Sequence, residues 1–221
     1  MQKVVVIGAG GFGRETLEVL KDMNKAKKQW DILGFIDDNP AIHGTTINKM
    51  PVLGGTDWLI ANHRGEIGCV IGMGDPGVKK RIVAKLKPAG VRFVNAIHPT
   101  VVMSEFVEMG EDVIICAGCI LTVNIKMGSH IILNLNCTVG HDTVLEDFVS
   151  VQPTVKINGR NVLREGVYVG TGATFIHNVS VGEWTTIGAG ACVVKDIPAH
   201  VTAVGVPANK IWKKEEVEGG H

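Results

Sequence analysis

Every sixth residue from Met109 to Val193 is apolar, without exception. Written in hexads from Val107, the third position reads Met109, Ile115, Leu121, Met127, Leu133, Val139, Leu145 and Val151, then Ile157, Leu163, Val169, Phe175, Val181, Ile187 and Val193. With 45% of the chain hydrophobic, chance would give fifteen such positions in a row with a probability of roughly 10⁻⁵. The first position of each hexad is mostly Val, Ile, Ala, Thr or Cys. The fourth is Gly at Gly110, Gly128, Gly140, Gly170, Gly182 and Gly188. A period of six fits neither a helix at 3.6 nor a simple strand at 2. It fits a parallel β-helix, in which one short strand and one turn form each side of a coil. Three hexads make one triangular coil, so Met109 to Val193 supplies about five coils.

This pattern resembles the left-handed β-helix of the hexapeptide-repeat acyltransferases. The resemblance implies a left-handed coil, against the usual right-handed preference for parallel crossovers, and three chains packed side by side as a homotrimer.

The residues ahead of the coils read as α/β. Lys3–Gly8 is a buried strand, Arg14 to Asn24 an amphipathic helix with Leu17, Leu20 and Met23 on one face, and Trp30 to Ile36 a second strand ending at Asp37-Asp38. Met50 to Gly54 is a short extended piece, Thr56 opens a turn or helix, Gly68 to Met73 is a further strand, and Gly77 to Lys87 a helix. The reading is therefore a Rossmann-like βαβ unit over 1–96, too small for a complete six-stranded dinucleotide fold. An all-β helix follows over 97–212, then a disordered tail over 213–221, which is charged and Gly-rich.

Lys plus Arg and Asp plus Glu number 22 each, so no global field points to nucleic acid or to an anionic membrane. No apolar run approaches the roughly 18 residues of a membrane span. The start reads as a strand rather than a signal peptide, because Gly8 to Gly13 cut the apolar stretch short. Five cysteines with no export signal point to reduced thiols and a cytoplasmic protein. Cys116 and Cys119 form a C-x-x-C, yet no second pair or nearby His completes a zinc site, so both are read as small core residues and no metal is expected.

Gly8-Ala9-Gly10-Gly11-Phe12-Gly13 follows a strand and opens a helix, and Asp37 stands at the end of the next strand. Such glycines let backbone N–H groups approach a pyrophosphate at a helix N-terminus, while an acidic residue can accept ribose hydroxyls or base N–H groups. Taken alone this would suggest a nicotinamide cofactor. A β-helix offers no domain for hydride transfer, however. A short βαβ unit opening G-A-G-G-x-G, an Asp-Asp after its second strand and then hexads resembles the sugar acetyltransferases of the bacillosamine and perosamine type and their sialic-acid O-acetyltransferase relatives. The resemblance covers nearly the whole chain. It implies that the small domain holds the nucleotide of a nucleotide-linked sugar, with Gly10, Gly11, Phe12, Gly13, Asp37, Asp38, Gly74 and Asp75 as matching positions. Several members carry His where this chain has Phe12.

His141 falls at the fifth hexad position, near a coil corner, followed by Asp142. An imidazole has an ordinary pKa of about 6.5 and can accept a proton at neutral pH. An adjacent carboxylate can orient the ring and favour the imidazolium. The resemblance implies that His141 is the general base, tuned by Asp142, with Asn134 holding the substrate or the ring. It also implies direct transfer from acetyl-CoA, with Gly159 supplying a backbone N–H to the oxyanion. Ser150, Thr171, Ala189 and Lys195 join Gly159 as positions facing CoA, in active sites between subunits. Ser150 stands where some relatives have a second His.

Three functions of different classes meet these residues. One is N-acetylation of a nucleotide-linked 4-amino-4,6-dideoxysugar, favoured by the Gly-rich turn and Asp37-Asp38; O-acetylation of a sialic acid would use the same base and donor. The second is a zinc enzyme of the β-helix carbonic anhydrase kind, but His141 and His177 are two coils, about 10 Å, apart, too far to share one metal within a chain, and no third ligand stands beside either. The third is a non-catalytic nucleotide-sugar-binding scaffold.

Overall fold

The computed structural model describes residues 1–213. Its first part is a sheet in the order β3-β4-β2-β1-β5-β6. The strands are β1 (Gln2–Ile7), β2 (Trp30–Ile36), β3 (Thr46–Ile47), β4 (Met50–Gly54), β5 (Ile67–Ile71) and β6 (Arg92–Phe93). All pairings are parallel except β3 with β4. The sheet thus has six strands where a smaller unit was expected, although β3 and β6 are very short. Three helices join them: α1 (Gly11–Ala26), α2 (Thr56–Asn62) and α3 (Pro76–Leu86). Within β1, Val4-Val5-Val6-Ile7 is buried on both faces, as a central parallel strand requires. Helix α1 starts at Gly11, earlier than its apolar spacing indicates, with Gly10 as N-cap. Gly13 is fixed sterically, because a Cβ there would run into the carbonyl of Gly8.

The second part is a left-handed parallel β-helix with three faces. The first face stacks Ala96–Ile97, Ile114–Ile115, Ile132–Leu133, Ser150–Val151, Tyr168–Val169, Thr186–Ile187 and Val201–Val204, with Lys210–Lys213 added antiparallel. The second face runs from Val102–Met103 through Thr138–Val139 to Cys192–Val193, and the third from Val107–Met109 to Ser180–Val181. Partners lie three hexads apart, as Ile115 with Leu133 and Leu133 with Val151. The coils extend beyond the 109–193 run at both ends, starting at Ala96. Lys213, placed in the tail by the sequence, ends the last strand; residues 214–221 lie outside the described residues.

Third-position side chains fill the coil, from Ile115 to Val193 all buried. Met109 is half-buried, because the turn beneath it leaves Met103 and Phe106 exposed. First-position residues from Val113 to Ala191 are buried as well. The polar ones bond to the backbone: Asn161 donates to the carbonyls of Asn158 (2.7 Å) and Ile176 (3.0 Å) and accepts from Val179 N–H (2.8 Å). The sixth position turns every corner from Asp112 to Gly190 with a left-handed φ.

The two parts share one packed seam. Second-position residues Ile114 and Ile132 of the first face are buried in one cluster with Leu17, Leu20 and Val94. Further round, α3 rests on the corner between the third and first faces. Its fully buried Lys79 places Nζ 3.0 Å from Asp112 Oδ2. Asp112 also accepts from Ile71 N–H (2.8 Å) and meets His130 Nδ1 (3.1 Å). The next residue, Lys80, pairs with Glu165 at 2.7 Å and lies over the Trp184 ring. No described helix is long and apolar enough to cross a membrane.

Candidate active site

Thr138–Val139 ends at Gly140, and the chain turns the corner between the second and third faces at His141 and Asp142, which has φ 59°. Both side chains are about half exposed. His141 Nδ1 lies 2.8 Å from Asp142 Oδ2. The hydrogen bond from His141, then one from Asn124, hold the Asp142 carboxyl below its ordinary pKa, with Arg160 adding to the effect. An ionised carboxylate only accepts, so the neutral ring carries its proton on Nδ1 and leaves Nε2 as an acceptor. One coil on, Gly159 lies against the ring: a Cβ there would stand 2.5 Å from His141 Nε2. Arg160 N–H donates to the His141 carbonyl at 2.8 Å, fixing the two turns together. The Gly159 N–H donates to no group among the described residues.

The remaining expected site residues divide between places. Gly159 and Lys195 share the His141 corner, at the same hexad position in later coils, with exposed His177 between them. Thr171 and Ala189 are exposed one coil apart on the other corner, between the first and second faces. The two corners are separated by the width of the second face, at most about 20 Å for six extended residues. Asn134 is buried near that other corner, and its Oδ1 accepts from Leu135 N–H at 2.7 Å, so it does not touch His141 of its own chain. Ser150 is buried at the seam, where its hydroxyl donates to the Gly74 carbonyl at 2.8 Å. That hydroxyl ties the β-helix to the α/β part. Among the described residues, no three His, Cys, Asp or Glu side chains gather as metal ligands, and all five cysteines are free.

In the α/β part a cavity of about 350 Å³ opens at the carboxyl ends of β1, β2 and β5, lined by Ile7, Asp37, Asp38, Thr56, Met73 and residues of α3. This is the crevice where strand order reverses across β1, the usual ligand position in parallel sheets. Gly10 offers no capping side chain, so the first N–H groups of α1 have no partner among the described residues. Asp37 uses both oxygens on backbone, accepting from Ala9 N–H (2.9 Å) and Asn39 N–H (3.0 Å). Asp38 accepts from the Thr56 N–H and hydroxyl at the start of α2. Asp75 caps α3 through Val78 N–H, and Phe12 is half-buried against the α1 core. Arg81 and Lys85 of α3 also line the cavity. Neither is among the residues expected from the sequence; their signal is the i, i+4 spacing on a helix beginning just after Gly74-Asp75.

A family model described as the PglD N-terminal domain matches residues 3–86. The chain is 29% identical to GDP-perosamine N-acetyltransferase of Escherichia coli O157:H7, over 93% of this chain and 95% of that protein. PerB from Caulobacter crescentus, solved in complex with CoA and GDP-perosamine, is 30% identical with a TM-score of 0.87, covering 96% of this chain and 98% of that one. The acetyltransferase domain of PglB from Neisseria gonorrhoeae FA1090, solved in complex with acetyl coenzyme A, is 27% identical with a TM-score of 0.86, covering 94% and 98%. The likeness runs through both parts of the chain and not the coils alone, and the protein belongs to the hexapeptide-repeat sugar acetyltransferases of the bacillosamine and perosamine N-acetyltransferase group.

Proposed function

We propose that the protein transfers the acetyl group of acetyl-CoA to the amine of a nucleotide-linked 4-amino-4,6-dideoxysugar, with His141 as general base, in the cytoplasm. The observation that carries this reading is the free Nε2 of His141, set by the Asp142 contact of 2.8 Å on an accessible corner. The amine nitrogen forms its bond to the thioester carbon as Nε2 takes the amine proton. The Gly159 N–H is offered to the oxyanion. The C–S bond then breaks, and the proton passes from the imidazolium to the CoA thiolate. The Arg81 guanidinium in the crevice and the unpartnered N–H groups at the start of α1 suit a diphosphate. Asp37 and Asp38 hold the surrounding turns and keep lone pairs for a base or ribose.

A homotrimer completes this reading. The second face exposes Val102, Ile120, Ile176 and Val194, and its one outward charge, Lys156, is drawn to the corner by the Asn136 carbonyl (2.8 Å). The third face, by contrast, carries Glu108, Lys126, Glu146 and Arg164. Three chains with second faces turned inward would set the Thr171–Ala189 corner of one beside the His141 corner of the next. CoA would then lie between two chains.

Acetyl-CoA turnover tests the reading, with GDP-, UDP- and dTDP-linked 4-amino sugars beside free and CMP-linked sialic acid. An amino sugar should be the best acceptor; a sialic acid preferred over all of them would replace N- with O-acetylation. His141→Ala should lower kcat by about 10²–10⁴-fold with little change in KM. A rate above half the parent's would remove His141 from the chemistry.

A further inference from the structure

We infer that Asn124, one coil beneath the candidate base, is a positioning residue that fixes the Asp142 carboxylate and through it the tautomer and aim of His141. This rests on the reading of His141 as the base. The observations are a chain of contacts on one corner. Asn124 Nδ2 donates to Asp142 Oδ1 at 3.3 Å, and Asp142 Oδ2 meets His141 Nδ1 at 2.8 Å. The backbone fixes both ends of that chain: Asp142 N–H donates to the Val123 carbonyl at 3.1 Å, and Asn124 and Asp142 turn with φ of 55° and 59°. Left-handed turns stacked in successive coils therefore present an amide directly below a carboxylate.

The carboxylate is exposed and would otherwise be free to rotate about its side-chain bonds. A single hydrogen bond to the ring leaves that rotation open, since either oxygen, or water, can take the Nδ1 proton. Occupying Oδ1 from below leaves Oδ2 for the ring. Gly159 bounds the ring from above by offering no side chain. The base is thus held from both sides by neighbouring coils, and the β-helix repeat itself supplies the alignment.

Substitution by glycine removes the amide without disturbing the turn, because glycine adopts a left-handed φ without strain. Nitrogen-15 spectra of His141 should show the parent mainly protonated on Nδ1 at neutral pH and Asn124→Gly with a mixture of tautomers. With acetyl-CoA and GDP-perosamine as probes, kcat should fall about three- to tenfold with KM values within about twofold. In an Asp142→Asn background the same change should have no further effect, since a residue acting only through Asp142 is not additive with its loss. An unchanged tautomer ratio, or a full additional loss in that background, would overturn the inference. Should His141→Ala keep its rate while Asn124→Gly still shifts the tautomer, the positioning stands and only the assignment of the base is lost.

Discussion

Gly159 shows how much one hydrogen atom decides beside the His141 ring. Its α-carbon faces the His141 ring so closely that a methyl group would stand 2.5 Å from Nε2 and 2.6 Å from Cε1. The ring is half exposed and can swing away, so the collision is relieved by moving the imidazole rather than by unfolding the coil. Gly159→Ala should therefore leave secondary structure and melting temperature near the parent's while lowering kcat by about 10²-fold, the worth of a positioned base. A variant with parent-like kcat would show that the ring has room that the turn does not offer. Asp142 is doubly determined at this scale. Its left-handed φ favours Asn, Asp or Gly on backbone grounds, and its carboxylate also holds the ring. From the sequence, only the second reason was visible.

At the scale of elements, the hexad period was enough to predict strands, coil and core, because a repeat of six leaves few ways to bury the third position of every hexad. The corners were less legible. Asp112, Asn124, Asn136, Asp142 and Asn178 carry the left-handed signal, but Phe148, Thr154, Arg160 and Trp184 hide it. Two of these have tertiary reasons to be large: Phe148 stacks on His130, and Trp184 receives Lys80. Helix α3 was predicted as a helix, yet nothing in its spacing showed that Lys79 points inward to Asp112. Burial pushes the Lys79 amine below its ordinary pKa, and the Asp112 carboxylate opposes that. Removing the cation leaves a buried carboxylate against Ile71 and His130. Lys79→Met should thus cost about 3–5 kcal/mol in urea unfolding. Lys79→Met with Asp112→Asn should recover part of it, since the uncompensated charge is gone while an acceptor for Ile71 N–H remains. Equal stability of the single and double variants would mean that α3 is held by its apolar contacts alone.

The whole molecule joins a crevice in the α/β part to a histidine corner on the β-helix, and their arrangement explains why the candidate site residues could not be gathered from the sequence. The crevice at β1 and the His141 corner belong to parts locked together by Lys79, Ser150 and the α1 cluster. The fold puts His141, Gly159 and Lys195 on one corner and Thr171 and Ala189 on another, and the second face keeps the two corners of one chain apart. If the second faces meet around a threefold axis, each site takes His141 from one chain and its opposite wall from the next. That arrangement makes a quantitative prediction about mixtures. A His141→Ala chain lacks the base but keeps an intact Thr171–Ala189 corner. A chain with Thr171→Trp and Ala189→Trp keeps the base but has its other corner blocked. Each variant alone should be nearly inactive. Unfolded together in equal amounts and refolded, random trimers would place an intact base beside an intact corner in about a quarter of sites, so activity should return to about a quarter of the parent's per site. Recovery of that size identifies a site shared between chains. No recovery from a mixture shown by mass spectrometry to contain mixed trimers would mean that each chain builds its site alone.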